Sequence, residues 1–511
     1  MTQYYESERL KGKTIKREQI MMIWSFKRKR HPDGSLNKYK ARLCCHGGQQ
    51  QWGVNYWDTY SPVVSWSSVR ILLTVAKLHN MHTMSVDFVQ AYPQAVVKHP
   101  IFLKAPAGVI LNDKSGELVL RLMKNLYGLK DAGRTWFQHL SDGLKNMGFV
   151  PTASDPCIFT KGTNIIILYV DDCVILSRTK KDAEMIFAEL EHNKFKLTKE
   201  GTMEEYLGIQ IDHKDDGSFR MSQPFLIERI IDFIPGMAEA NHAKTPACSS
   251  TVLTKDINSK PRQENWNYRA IVGMLNYLVN CTHPELAYAV HQSARFCNDP
   301  KRVHEQAIKR IIRYLRGTLK DCKQNDKAPR GILFKPDKTK SIDAYIDASF
   351  AGEWNMEWSD ETSSVMSRTG YVILYANCPI IWSSKLQTEI TLSTTESEYV
   401  ALSQAMRDVI PLIGLLRELQ TILAFESSSP TVHCTIFEDN MGCIDLVTSP
   451  RIRPRTKHIA LKYHHFRSFV LDKTISIQHV DTKAQIADIF TKALSDAQFI
   501  ALRSMLMGEA S

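Results

Sequence analysis

Two short apolar runs separated by an acidic pair stand out in the pattern of hydrophobic and polar positions. Residues Ile165–Leu168 and Cys173–Leu176 flank the tetrapeptide Tyr169–Asp172. Short runs rich in β-branched residues predict strands, and the polar centre predicts a tight hairpin with Asp171 and Asp172 at its tip. The runs are far too short to cross a bilayer.

The same pattern predicts further elements along the chain. Strands are predicted at Met21–Lys29, Lys38–Cys45, Met84–Phe88, Tyr206–Ile211, Ile342–Phe350 and Val432–Phe437. Helices are predicted at Ser67–Leu78, Ala132–Met147, Asp182–Asn193, Phe225–Phe233, Trp266–Asn280, Pro284–Phe296, Val303–Arg316, Thr395–Leu419 and Gln485–Leu494. Gly317 predicts a helix end and Pro411 a kink or break. Polar stretches at 246–264 and 321–331 predict linkers.

The acidic pair is a candidate for half of a metal site. Adjacent carboxylates repel each other and lose hydration on a rigid backbone, and a divalent cation relieves both costs. A third inward acid, Asp87, is predicted on the strand Met84–Phe88, and Tyr92 follows five residues later. Taken alone, Asp171 and Asp172 are equally well explained as a surface turn between ordinary strands.

Composition narrows the class of protein. A chain of 511 residues with 43% hydrophobic content is long enough for about three or four domains. The formal charge of +11 favours a polyanionic partner, either nucleic acid or an anionic surface. Eleven cysteines without zinc-type C-x-x-C spacing indicate reduced, cytosolic thiols. No signal peptide or membrane span is predicted.

Basic residues concentrate on one face of the second predicted strand. Period two places Lys40 and Arg42 on one side, and Tyr39, Ala41 and Leu43 on the other. A cationic face suits a triphosphate. The alternative is a solvated edge strand whose lysines prevent aggregation.

Four acids in the C-terminal region form a separate acidic constellation, in which each acid taken singly is better explained by a structural role. They follow the order strand, helix, strand and helix: Asp347, Glu396, Asp439 and Asp488. Each has a structural alternative. Glu396 and Glu398 both follow a hydroxyl residue by three positions, which is the spacing of a capping box. Asp439 could cap the next helix, and Asp488 could be an exposed helix acid.

Several segments, in order along the chain, resemble the copia-type branch of LTR retrotransposon Pol polyproteins, in the reverse transcriptase–RNase H portion. They are residues 38–43, 126–136, 169–172, 392–399, 438–440, 455–459 and 487–492. The resemblance covers almost the entire chain. Asp131 and Gly133 stand where many copia-type elements have Gln and Pro, and residues 354–367 add polar residues to the first RNase H hairpin. Protease, zinc-knuckle and integrase motifs are missing, so the chain looks like the terminal part of such a polyprotein.

The resemblance implies a multidomain fold of the α+β and α/β classes, with a right-hand polymerase. Fingers and palm are expected in residues 1–200, a thumb-like region in 201–260, a helical connection in 261–330 and an RNase H-like α/β domain in 331–511. The implied function is RNA-directed DNA polymerase with RNase H activity. One rival is a non-catalytic nucleic-acid-binding remnant of a decayed element, and another is a nuclease with an idle polymerase half.

The resemblance also implies roles for individual residues. Asp87, Asp171 and Asp172 would bind Mg²⁺ for polymerisation. Contacts with the substrate are expected from Lys27 and Arg42 on the triphosphate, Tyr92 under the sugar, and Lys130. A second set would bind Mg²⁺ for cleavage of RNA, namely Asp347, Glu396, Asp439 and Asp488. His458 is expected to have a structural or substrate-side role, because Mg²⁺ prefers oxygen ligands.

Cofactors and partners follow from the same resemblance. Two Mg²⁺ ions are expected in each active site, with Mn²⁺ as a substitute. The expected partners are an RNA template, a DNA primer, the RNA–DNA hybrid and dNTPs, with no membrane; the oligomeric state is not predicted. The implied location is the cytoplasm, in virus-like particles, with product complexes entering the nucleus.

Overall fold

The computed structural model divides the chain into two compact units. It describes residues 5–9, 19–30, 36–109, 118–201, 203–251, 253–255, 260–324, 330–352, 354, 364–423, 432–449 and 464–509. Residues 1–65 and 81–203 form the first unit, and residues 66–80 and 204–511 the second. The five sheets and the helices between them confirm the predicted mixture of α+β and α/β architecture. The finer limits of fingers, palm, thumb and connection remain predictions.

The first unit contains three sheets. The largest has six strands in the order β12-β5-β11-β10-β9-β8, and the others have the orders β1-β7-β6-β2 and β3-β4. The strands are β1 Tyr5–Arg9, β2 Gln19–Ile20, β3 Met22–Arg30, β4 Leu36–Cys45, β5 His82–Phe88, β6 Phe102–Leu103, β7 Leu118–Leu122, β8 Val150–Pro151, β9 Ile158–Lys161, β10 Asn164–Tyr169, β11 Asp172–Ser177 and β12 Leu197–Gly201. The helices are α2 Ala91–Gln94, α3 Ala132–Asn146 and α4 Lys180–His192.

The second unit contains two sheets and the remaining helices. The sheet orders are β13-β14-β15-β16 and β19-β18-β17-β20-β21. The strands are β13 Glu205–Tyr206, β14 Ile209–His213, β15 Phe219–Ser222, β16 Gly331–Phe334, β17 Ile342–Ser349, β18 Arg368–Tyr375, β19 Cys378–Leu386, β20 Cys434–Glu438 and β21 Ile475–His479. The helices are α1 Trp66–Leu78, α5 Pro224–Asp232, α6 Tyr268–Cys281, α7 Ala287–Ala294, α8 Arg302–Gln324, α9 Thr394–Leu423, α10 Met441–Thr448, α11 Arg467–Leu471, α12 Asp488–Thr491 and α13 Asp496–Leu506.

One apolar core joins the helical region and the five-stranded sheet of the second unit. It includes Ile230 of α5, Leu275 of α6, Ile312 of α8, Val372 of β18 and Phe490 of α12. Helix α1 was expected to back the palm but groups with this unit. The guanidinium of Arg70 lies 3.9 Å from the ring centroid of Trp382 and donates to the carbonyl of Ile380.

Two predicted boundaries are wrong, and each has a local physical reason. The strand predicted at 206–211 is a hairpin, because Leu207 and Gly208 both take positive φ and turn the chain. Helix α8 continues through Gly317. The absence of a side chain at Gly317 leaves room for His242, because a Cβ there would lie 3.1 Å from the His242 Cβ. Of the two outcomes predicted at Pro411, the break does not occur and the kink stays a prediction. Helix α9 continues through Pro411, which is exposed, so the backbone carbonyl it leaves unbonded can reach water.

Helix α9 is also long and apolar enough to cross a membrane. Within its most apolar window, 67% is buried inside the fold. Burial of this extent is typical of a core helix, and α9 packs against β17 and β18. The helix therefore serves here as the central support of the five-stranded sheet.

Candidate active sites

The predicted acidic hairpin of the first unit is formed by β10 and β11. Tyr169 pairs with Asp172, which leaves Val170 and Asp171 as a two-residue turn. Val170 has φ +58°, a left-handed conformation that strains a β-branched residue. The buried Trp136 stabilises the turn, since its indole N–H donates to the Val170 carbonyl at 2.6 Å. Backbone strain is thus concentrated at the tip that carries the acids.

Asp87 lies beside this tip. Strand β5 pairs antiparallel with β11 in a register that sets Asp87 directly opposite Asp172. The Phe88 amide donates to the Asp171 carbonyl at 3.0 Å, which fixes the turn against β5. Directly opposed residues share one face of a sheet, and like charges there are destabilising. A divalent cation would relieve this repulsion, and its binding by the three palm acids (Asp87, Asp171 and Asp172) stays a prediction.

Tyr92 is half-buried beside the palm acids. Its ring centroid lies 5.0 Å from that of Tyr127, and the Arg42 guanidinium lies 4.6 Å from the Tyr127 centroid. Burial raises the pKa of the Tyr92 hydroxyl, and the negative charge of Asp171 raises this pKa further. A continuous row of side chains therefore runs from Arg42 through the two rings toward Asp171.

One face of the β3–β4 hairpin is cationic, and the other carries aromatic side chains together with Arg28. Lys27 pairs with Lys40 and Ser25 with Arg42, so the cationic face, defined here as Lys27, Lys40 and Arg42, lies on one side. The opposite side carries Phe26 and Tyr39, which are 76% and 74% exposed. Because two lysines directly opposite each other repel, the cationic face favours binding of an anion.

Lys130 has a different environment from the other predicted substrate contacts. Its ammonium donates to the Gln50 carbonyl at 3.3 Å and to the Tyr56 hydroxyl at 3.2 Å, and it lies 4.4 Å from the Tyr56 ring centroid. These contacts hold the 126–136 segment against the Gln50–Tyr56 loop. A direct contact between Lys130 and substrate stays a prediction.

In the second unit, the sheet topology brings two predicted acids together. Strands β17 and β20 are parallel neighbours, so their carboxyl ends lie at one edge of the sheet. Asp347 lies near the end of β17, and Asp439 directly follows β20. Asn440 caps helix α10 by accepting from the Cys443 amide, whereas Asp439 accepts from the Thr482 hydroxyl at 2.9 Å. The capping alternative for Asp439 is therefore wrong.

The glutamate that completes this group is Glu398, and the prediction of Glu396 needs correction. Carboxylate oxygens of Asp347, Glu398 and Asp439 all lie within 4.8 Å of one another, and this carboxylate cluster is the metal-like group found among the described residues. The Glu396 carboxylate instead accepts from the Leu392 amide at 2.8 Å, while the Glu396 amide donates to the Ser393 hydroxyl. Glu396 therefore helps to cap the start of α9: its amide makes the capping-box bond to Ser393, and its carboxylate accepts from the amide one residue before Ser393.

Asp488 lies at the border of the carboxylate cluster. It is buried, and its carboxylate lies 2.7 Å from the Lys492 ammonium. The Thr491 hydroxyl of the same helix donates to the Asp347 carboxylate. Gly370 allows this helix to approach the sheet, because a Cβ there would lie 2.5 Å from a Thr491 methyl carbon. The alternative of an exposed helix acid is wrong for Asp488.

The surroundings of this site oppose ionisation of two of its acids, Glu398 and Asp488. Burial raises the pKa of Glu398, and the charges of Glu438, Asp347 and Asp439 raise this pKa further. Burial and the charge of Asp347 raise the pKa of Asp488 to about 7. One Glu398 oxygen is buried without a hydrogen-bond partner in the described part of the chain. An unpartnered oxygen facing other carboxylates fits a Mg²⁺ ion, which prefers oxygen ligands.

Two acids of this region were missed by sequence reasoning. Glu398 was considered only as a cap, although its spacing from Thr395 equals that of Glu396 from Ser393. Glu438 is fully buried beside the cluster, and one of its oxygens also lacks a hydrogen-bond partner among the described residues. A buried acid at the end of an apolar strand was the available signal. His458 lies outside the described residues.

Comparisons with known proteins agree with the polymerase interpretation. Residues 7–249 match the family described as reverse transcriptase (RNA-dependent DNA polymerase). The chain is 33% identical over 482 residues to the retrovirus-related Pol polyprotein from transposon RE2 of Arabidopsis thaliana, covering 93% of this chain and 31% of that polyprotein. The chain is also 31% identical over 487 residues to the retrovirus-related Pol polyprotein from transposon TNT 1-94 of Nicotiana tabacum. This similarity covers 93% of this chain and 34% of that polyprotein.

The chain therefore spans about a third of the length of these relatives. A solved structure of the foamy viral protease-reverse transcriptase in complex with RNA/DNA hybrid is 13% identical, with a TM-score of 0.44. The similarity covers 91% of this chain and 50% of that one.

Proposed function

We propose that the chain is the reverse transcriptase portion of a copia-type Pol polyprotein and acts as an RNA-directed DNA polymerase with a linked RNase H activity. The observation that carries the proposal is the pairing of Asp87 with Asp172 beside the strained Val170–Asp171 turn. This geometry supports a metal-binding polymerase centre over a surface turn, because a surface turn gains nothing from opposed acids.

The polymerase half relies on charge placement around the primer end. A divalent metal bound to the palm acids would stabilise the attacking and leaving oxygens of phosphoryl transfer. The cationic face offers Lys27, Lys40 and Arg42 to the triphosphate, and charge-assisted contacts of this kind orient phosphates strongly. Tyr92, held by Tyr127, is available beneath the sugar.

The nuclease half relies on the carboxylate cluster and Asp488. A divalent metal at this set would supply an activated water for hydrolysis of an RNA phosphodiester. The chain contributes carboxylates from three separate elements: the sheet edge fixes the buried Asp347 and the partly buried Asp439, and helix α9 delivers the buried Glu398. Recognition of RNA would use 2′-hydroxyls and backbone shape rather than base sequence.

Crossed variants of the purified chain test this proposal. With Mg²⁺, the chain should extend a DNA primer on an RNA template and cleave the RNA of an RNA–DNA hybrid. Asp87→Asn should remove extension and keep cleavage, whereas Asp347→Asn should do the reverse, because the two acids lie in different units. Loss of both activities in each variant, with unchanged melting temperatures, would contradict two independent centres.

A further inference from the structure

A large cavity in the second unit lies outside both candidate active sites. Its volume is about 810 Å³, within the usual range of ligand sites. The walls come from the segment between Met237 and Leu253, from helices α7 and α8, and from Gly352, Lys492 and Ala493. The segment 246–264 was predicted as a linker, so part of that linker forms one wall of the cavity.

The charged side chains among the described lining residues are all basic. Among the described residues that line the cavity, none is acidic and four are basic: Lys309, Arg310, Arg313 and Lys492. Lys309 is paired with Glu264 and Glu305, and Lys492 with Asp488.

Arg310 and Arg313 have only neutral acceptors in the described part of the chain. Arg310 donates to the Thr245 hydroxyl at 2.7 Å, and its buried Nε has no hydrogen-bond partner there. The Nε of Arg313 donates to the Asn241 carbonyl at 2.5 Å. Two guanidinium charges on successive turns of α8 therefore remain available to an anion. Arginine binds phosphate well because its planar fork matches phosphate oxygens.

The cavity adjoins the carboxylate cluster. Lys492 lines the cavity while its ammonium contacts Asp488. Gly352 also lines it and lies three residues beyond the end of β17, the strand that carries Asp347. A nucleic-acid strand at the cluster would therefore have its neighbouring phosphates within reach of this cavity.

We propose that the cavity binds a backbone phosphate of the nucleic acid held at the carboxylate cluster, with Arg310 and Arg313 as the phosphate ligands. The proposal rests on the nuclease function proposed above and names a contact that anchors its substrate. A free mononucleotide also carries a phosphate ester, so it is the alternative ligand for this cavity. The arginines also fasten the 241–245 segment, and the experiment must separate the two roles.

Arg316 provides a matched control. It lies on the same helix and donates to the carbonyls of Ala238 and Ala240, but it does not line the cavity. The test measures binding of a fluorescent RNA–DNA hybrid at several salt concentrations in EDTA, so that no cleavage occurs. The variants are Arg310→Gln, Arg313→Gln and Arg316→Gln, each with its melting temperature.

Each cavity variant should weaken hybrid binding several-fold at low salt. Each should also reduce the slope of log affinity against log salt by roughly 0.9, the value for one lost phosphate contact. Arg316→Gln should keep the wild-type slope at a similar melting temperature. Arg310→Lys should restore the slope but only part of the affinity, because it keeps the charge and loses the fork.

Four outcomes would overturn the proposal. If both cavity variants keep the wild-type salt slope and the wild-type chain cleaves the hybrid, the cavity contact is refuted and the proposed nuclease function stands. Equal losses for all three variants would assign the arginines to folding of the 238–245 segment. A rise in melting temperature with AMP that needs Arg310, together with unchanged hybrid binding, would make the cavity a nucleotide site. A wild-type chain that neither binds nor cleaves the hybrid would refute the proposed nuclease function as well.

Discussion

Glu398 lies two residues beyond Glu396 on one helix, yet only Glu398 has a carboxylate oxygen within 4.8 Å of oxygens from Asp347 and Asp439. Two residues along an α-helix correspond to about 200° of rotation, so the two side chains point to nearly opposite sides. One glutamate therefore faces the sheet edge, while the other turns back to cap the helix.

Glu398→Gln should abolish RNA cleavage in a hybrid. Removing an outer partner of a metal ligand typically costs 10–100-fold, so removing a direct ligand should exceed about 100-fold. Glu396→Gln is the control, because glutamine keeps the capping hydrogen bond and should leave cleavage near the wild-type rate. The reverse result, with cleavage lost only in Glu396→Gln, would restore the original assignment of Glu396.

The pH dependence of stability reports on the same site. Burial and the charge of Asp347 raise the pKa of Asp488 from 3.8 to about 7. An acid whose pKa is raised by folding stabilises the protein below pH 4, and this contribution is lost as pH rises through about 7. Without divalent metal, the free energy of unfolding should therefore fall over this window. Mg²⁺ should restore stability at pH 8 more than at pH 5.

Thermal melts in EDTA and in Mg²⁺ at both pH values test this expectation. Burial also raises the pKa of Glu285 to about 7, so the informative quantity is the difference between wild type and Asp488→Asn. Asp488→Asn should show a smaller loss of stability with pH and a smaller gain from Mg²⁺. Identical pH profiles for the two proteins would rule out Asp488 as part of the titrating set.

Tyr92→Val should allow incorporation of ribonucleotides. The half-buried ring would occupy the space that a 2′-hydroxyl needs, and valine would open this space. Tyr92→Phe keeps the ring and should keep discrimination against ribonucleotides. If the ring acts only in packing, Tyr92→Val should cost roughly 2–4 kcal/mol of stability, as large-to-small core changes do. A folded Tyr92→Val that still rejects ribonucleotides would contradict the steric role.

Arg42→Gln should raise the KM for dNTPs. Hydrogen bonds to charged groups contribute about 1.5–3 kcal/mol, so a rise of about tenfold or more is expected. Arg28→Gln is the matched control, since Arg28 pairs with Tyr39 on the opposite side of the hairpin. Steady-state extension with varied dNTP measures both. An equal rise in the two variants would indicate a general charge effect in place of a specific contact.

The sequence was sufficient to predict the β10–β11 hairpin and the strand β5 because their signals are local. The alternation of apolar runs with Asp171 and Asp172 predicted the hairpin, and a single inward acid predicted the partner strand. The left-handed φ of Val170 was not predictable, because nothing in a Tyr-Val-Asp-Asp tetrapeptide indicates strain. That conformation depends on Trp136 and β5, which are distant in sequence.

The choice between Glu396 and Glu398 could not be made from sequence spacing. Both follow a hydroxyl residue by three positions, and only the rotation of α9 over the sheet distinguishes them. Gly317 was misjudged for a related reason. Its role depends on His242, which lies far away in the chain and packs against α8. Long-range packing overrides such local signals.

Primer extension on an RNA template by the purified chain tests the central claim most directly. In Mg²⁺ and dNTPs, the wild-type chain should extend a labelled DNA primer, and Asp171→Asn should not, while its cleavage of hybrid RNA stays near the wild-type level. This result would identify the hairpin tip as the polymerase centre. Absence of extension by the folded wild-type chain, or extension by Asp171→Asn at the wild-type rate, would contradict the account.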